Sequence, residues 1–172
     1  MNHALIIALA AAAVAGSAAA QAPAPAAPPA PPAPRAKGPP LSFAVPAAQA
    51  AVAACLANTY KVTALITDSA GDPVVLLSGD GANLRTQTIA KTKVAAVMKY
   101  KKSSGEVVAM AKADPKIDAE IKADPNIGTA RQGAVPLLSG GEMIGAFAVS
   151  GAPGGEKDEA CITAALAKVP LK

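Results

Sequence analysis

The chain has no Trp, two Phe and two Tyr, so its core must be built from Ala, Val, Leu and Ile. So few aromatics leave little to stack bases on, which argues against nucleic-acid binding despite a net charge of +4. Histidine is nearly missing: the only one is His3, in a segment expected to be removed. The remaining chain then has no Ser-His-Asp triad, no Cys-His pair and no His metal ligand, and most familiar hydrolase mechanisms fall away. The two cysteines, Cys55 and Cys161, are not in C-x-x-C spacing, which disfavours a redox motif or a zinc site. Phosphate fingerprints are missing too. In "LLSGDGANLRTQTIAK" an apolar run stops at Gly79-Asp80-Gly81 and a helix-like segment follows, but there is no G-x-x-x-x-G-K-S/T, and Leu84 stands at the third glycine of G-x-G-x-x-G.

What is present begins with a targeting pattern. Residues 1–20, "MNHALIIALAAAAVAGSAAA", hold an apolar run and end in Ala18-Ala19-Ala20, the small-residue signature of signal-peptidase cleavage. The run is alanine-heavy and short of the roughly 20 strongly apolar residues of a membrane span, so no stable membrane insertion is expected. Cleavage near Ala20 would deliver the chain to the periplasm or the medium, where two lone cysteines can pair. Residues 21–40 carry nine prolines and read as an extended Pro/Ala-rich linker. The folded domain is expected over 41–172, and 172 residues suit one domain rather than two.

Within that domain, "PAAQAAVAACLANT" is Ala-rich with Pro46 at a plausible first helical position. "KVTALITDSAGDPVVLLSG" reads as a β-hairpin around Ala70-Gly71-Asp72-Pro73, and "AVPLLSGGEMIGAFAVSG" as a second, turning at Gly140-Gly141. Between them, Ile89 or Ala90, Val94, Val97 and Met98 fall at helical spacing, and Asp114-Pro115 and Asp124-Pro125 bound two shorter helices. "EKDEACITAALAKV" closes the chain as a helix with acids in its first turn and Lys168 in its last. The order α-β-β-α-α-β-β-α, with two or three helices in the middle, predicts an α+β fold: a small antiparallel sheet of two hairpins flanked by helices. If the first and last helices pack side by side, Cys55 and Cys161 are placed to bridge them.

Arg85, Lys91, Lys93, Lys99, Lys101 and Lys102 fall in one acid-free segment, a solvated helix face or an attractor for an anionic ligand. Gly79-Asp80-Gly81-Ala82 and 150–155 each lead flexible backbone into a helix start, either as simple capped turns or as places to hold an anion. Asp80 is expected to cap its helix or pair with a neighbouring base. Glu156 and Glu159 share a helix face and could meet a surface metal, although first-turn acids ordinarily serve the helix dipole.

"TALITDSAGDPVVLLSGDGA", then "TQTIAKTKVAAV", then "AVPLLSGGEMIGAFAVSGAPGGEKDEACITAAL" resemble the GlcG/HbpS family of haem-binding proteins, itself similar to a C-terminal domain of some cobalamin adenosyltransferases. The likeness covers most of 41–170. Its specific features are a D-G-A turn before an A-x-x-K-A-like helix, and an I-G-A-x-x-V-S-G-A strand before a D-E helix start. Here Ser78 stands where an Arg often precedes the turn, and Lys93-Val94 replaces Lys-Ala. The resemblance implies a homo-oligomer that binds haem or a related tetrapyrrole. Its site would draw on Asp80, Gly81, Arg85, Lys91, Met98, Tyr100, Arg131 and Gly151, with basic residues such as Arg85, Lys91 or Arg131 facing the haem carboxylates. Without histidine the iron would take a Met, Tyr, Cys or weak oxygen ligand; Met98, Tyr100, Met110 and Met143 are candidates, and helical Met also serves as core filler. No catalytic cluster is marked. The alternative is an accessory protein or enzyme for a small hydroxy acid or cofactor, since other members of the family are linked to glycolate use, and it requires a polar cleft with a perturbed acid or lysine. A structural or partner-binding role is a third option.

Overall fold

The computed structural model describes residues 36–171. The expected signal peptide and most of the expected linker lie outside those residues. The described elements are α1 (Leu41–Leu56), β1 (Thr63–Thr67), β2 (Pro73–Ser78), α2 (Leu84–Tyr100), α3 (Ser104–Ala113), α4 (Pro115–Ala123), β3 (Ala134–Ser139), β4 (Glu142–Ser150) and α5 (Gly155–Lys168). This is the predicted α+β arrangement, with three helices between the hairpins.

The four strands form one antiparallel sheet in the order β2-β1-β4-β3. Each hairpin supplies an edge and a centre, and β1 and β4 pair across the middle. The second hairpin turns as its glycines predict, with φ of 59° at Gly140 and 82° at Gly141. The first is closed by Asp68, whose Oδ1 accepts from the amides of Ala70 and Asp72. Central β1 is buried along its whole length.

Side chains alternate between the faces of the sheet, and each face finds its own helices. Ala64 and Ile66 of β1, with Phe147 and Val149 of β4, join the alanines of α1 and Ile162 of α5 in one core. Leu65, Ala146 and Ala148 point the other way and pack on Ala90, Val94 and Val97 of α2. A third cluster ties α2 to α3 and α4 through Ala96, Val107 and Ile121. With alanine on so many facing positions, helices and sheet must approach closely for the core to fill. The expected Cys55–Cys161 disulfide is present and joins α1 to α5, with a Cα–Cα distance of 5.5 Å.

Two expectations at element starts are corrected. Pro46 is not at the first helical position: α1 begins five residues earlier, after Pro40, and Pro46 lies inside it. Burial of Phe43 and Ala44 holds that first turn and offsets the amide that Pro46 lacks. Among the described residues Asp80 neither caps nor pairs. Asn83 is the N-cap of α2 and makes no side-chain cap bond, and the Asp80 turn is closed by the Ala82 amide donating to Gly79 O at 3.0 Å.

Candidate functional site

Helix α2 turns about 100° per residue, so positions four apart share a face and positions two apart lie on nearly opposite ones. Arg85, Ile89 and Lys93 therefore fall on one side, and Lys91, Val94 and Met98 on another. Each side lines a separate hollow.

The first hollow, of about 490 Å³, is a cleft between the start of α2, the 130–132 loop, the end of β4 and the start of α5. Arg85, Arg131 and Gly151, three of the predicted site residues, meet in it. The cleft also holds Lys93 and Asp158, which were not predicted as site residues. Lys93 Nζ donates to Asp158 Oδ2 and to Val149 O, each at 2.7 Å. Asp158 Oδ1 accepts from the Ala152 amide at 2.9 Å. Their side chains are 2% and 4% exposed, a buried ion pair.

Burial pushes the Lys93 ammonium below its ordinary range, against the opposing pull of Asp158. Burial likewise pushes the Asp158 carboxyl up, against Lys93 and the Ala152 amide. Both shifts favour the neutral forms, as expected for charges taken out of water. Such a pair costs desolvation energy that good geometry only partly returns, and it persists because each partner is indispensable to the other.

The backbone around the pair leaves room for nothing larger. Gly133 has φ 115°, and a Cβ there would lie 2.5 Å from Lys93 Nζ and 2.7 Å from Asp158 Cβ. Gly151, φ 134°, brings the end of β4 so close to Lys61 O that a side chain would collide with it. The start of α2 is anchored to the sheet by Thr86, whose hydroxyl lies 2.7 Å from that of Thr63. Neither Arg85 nor Arg131 has a carboxylate within ion-pair distance among the described residues. Among the described residues no His, Met, Tyr or Cys lines the cleft.

The second hollow, about 510 Å³, holds Lys91 and Met98 of the predicted set. Its wall is Val94, Ala95 and Ile127, with Gly71 of the β1–β2 turn opposite; a Cβ on Gly71 would lie 3.5 Å from Met98 Cγ. Lys99 at its edge is committed, with Nζ 2.9 Å from Glu120 and 3.0 Å from Asp124. Lys91 makes no ion pair among the described residues.

The other predicted residues join neither hollow. The Tyr100 hydroxyl donates to Glu120 at 3.2 Å, with its ring against the α2–α3–α4 cluster. Asp80 and Gly81 remain at their turn, where Gly81 faces the Lys61 side chain. Met143 packs on the sheet core. Glu156 lines the cleft, and Glu159 has a buried Oε2 without a partner. Among the described residues no three His, Cys, Asp or Glu side chains cluster as a metal site.

The family described as "Haem degrading protein HbpS-like" matches residues 40–167. The chain belongs to the HbpS-like family. HbpS from Streptomyces reticuli, in a double-mutant form, is 27% identical, with 87% of this chain and 99% of that one covered at a TM-score of 0.68. Protein ORFY of Klebsiella pneumoniae shares the fold at 18% identity and a TM-score of 0.69, over 78% of this chain and 92% of that one. So does PduOC in complex with haem, at 19% identity and 0.68, over 77% and 96%. No curated protein matches significantly.

Two features that carry the HbpS-like resemblance meet at the buried pair. Lys93 is the lysine of the A-x-x-K helix and Asp158 the acid of the D-E start, 65 residues apart in sequence. A signal was available: Lys93 falls between Ile89 and Val97 on an apolar stripe, where a charge needs a hidden partner.

Proposed function

We propose that this HbpS-like chain is an exported haem-binding protein and that haem sits in the Met98 hollow. The observation that carries the reading is the company Met98 keeps. A thioether able to ligate iron lines a hollow within the usual 300–1,000 Å³ of small-molecule sites, beside an apolar wall and a cation free to meet a carboxylate. These residues fit the group: Met98 Sδ for the iron, Val94, Ala95 and Ile127 for the porphyrin faces, Lys91 for a propionate. Burial of the apolar faces carries most of the affinity, and the exposed charge contact adds modestly. When bound, haem contributes a redox-active iron whose potential follows its ligand and burial. Tyr60 lines only a smaller hollow of about 230 Å³ beside the disulfide.

Membership of the HbpS-like family supports haem as the ligand and haem handling as the role. Export is supported by the cleavage pattern at Ala18-Ala19-Ala20 and by the disulfide, which oxidising compartments favour. Among the described residues no helix is long and apolar enough to cross a membrane. Self-association is part of the reading: edge strand β2, Pro73–Ser78, is uncharged and carries an exposed Leu76, which suits pairing with a second copy.

Hemin titrated into the intact chain should give a saturable Soret change without the bis-histidine low-spin spectrum, weakened somewhat by salt. A non-saturable change equal to a protein-free blank would remove the proposal.

A further inference from the structure

We infer that the Arg85 cleft is a second ligand site, which takes a small organic monocarboxylic acid independently of haem. Two guanidinium groups from different elements, Arg85 of α2 and Arg131 of the loop before β3, line one cleft, and among the described residues no carboxylate lies within ion-pair distance of either. Among the described residues the Arg131 side chain has only a long bond to Thr129 O, at 3.4 Å. A guanidinium fork matches the planar oxygen pair of a carboxylate.

The cleft's own acids set the class of anion. Glu156 and Asp158 occupy the first turn of α5, and Asp158 already takes the Ala152 amide that a phosphate would need. Lys93 and Asp158 cancel each other, and the two arginines outnumber the remaining Glu156 by one, so a single carboxylate brings the cleft to neutrality where a phosphate dianion would overshoot it. Ile89, Val108 and Ala130 give the acid's carbon chain an apolar wall. The buried pair forms the polar floor, and Gly133 admits it where any side chain would collide. The absence of His, Met, Tyr and Cys from the lining separates this cleft from a haem site.

The test titrates the intact chain with propionate, and separately with inorganic phosphate and chloride at constant ionic strength, followed by amide NMR shifts. Propionate should move Gln132, Gly151 and Gly154 saturably. Arg85→Ala and Arg131→Ala should each weaken it on the order of tenfold, with Arg85→Lys intermediate. Met98→Ala should leave it unchanged, so that loss of haem binding and loss of acid binding are told apart. Arg85 is exposed, so its variants should fold, and their thermal melts confirm it. Absence of propionate shifts in the cleft, shifts indifferent to both arginines, or tighter binding of phosphate than of propionate would each overturn the inference.

Discussion

The two hollows share helix α2 and little else. The Arg85 cleft is closed by tertiary structure: a buried ion pair, two positive-φ glycines and the start of α5 come together from four parts of the chain. The Met98 hollow lies mostly along α2 and the 124–127 turn, and its charges are Lys91 and the solvent-facing pairs around Lys99. A helix with one acid-free basic segment thus lines two unlike hollows, because its 3.6-residue period deals successive cations to different sides. The cleft is specified by what it excludes, through burial and glycine. The hollow is specified by one soft side chain and an apolar wall.

If that contrast is right, damage should be uneven. The largest effect should follow Cys161→Ser. The disulfide closes a long loop, with a sequence separation of 106, and chain entropy puts its loss at about 4–5 kcal/mol. Since α5 walls the cleft and not the hollow, the surviving fold should lose propionate-induced shifts before haem binding. Denaturant melts of variant and parent check the energy, and coincident melts would contradict it.

Breaking the buried pair comes next. Lys93→Met or Asp158→Asn leaves one charge buried without its partner and should cost about 3–5 kcal/mol. The double variant Lys93→Met with Asp158→Leu should recover most of that loss. A double variant as unstable as either single one would argue against the ion-pair account.

Met98→Ala should be milder for the fold, about 1–2 kcal/mol, because the side chain is only half-buried. The smallest effect belongs to the exposed network. Lys99 holds the carboxyls of Glu120 and Asp124 below their ordinary range. Groups with depressed folded pKa values bind fewer protons folded than unfolded. Their stabilising share is therefore present above about pH 4–5 and lost as pH falls through the folded values. The parent's Tm should fall slightly more than that of Lys99→Met between pH 5 and 3, and added salt should shrink the difference. Equal slopes would show the network to be inert.

Much of this fold was legible in the order of residues. The hairpins announce themselves through β-branched runs and Gly140-Gly141, and the α3–α4 boundary through Asp114-Pro115, because local backbone preferences decide both. The start of α1 was not legible, since packing of Phe43 overrides the boundary that Pro46 suggests. The grouping of the candidate residues was half legible. Arg85, Arg131 and Gly151 do converge, as do Lys91 and Met98, but nothing local shows that the two groups face apart. Asp158 and Lys93 find each other only across the closed sheet. Tyr100 was a candidate iron ligand by its side-chain chemistry, yet it lies two residues past Met98, slightly more than half a turn of helix, and its hydroxyl donates to Glu120 instead.

The most direct test of the account is a crossed hemin titration. Wild type, Met98→Ala and the Arg85→Ala with Arg131→Ala double variant are compared by Soret absorbance at one ionic strength. The account predicts saturable binding in wild type, at least about tenfold weaker binding with an altered spectrum in Met98→Ala, and wild-type behaviour in the arginine variant. Haem binding that survives Met98→Ala unchanged and disappears with the two arginines would contradict it.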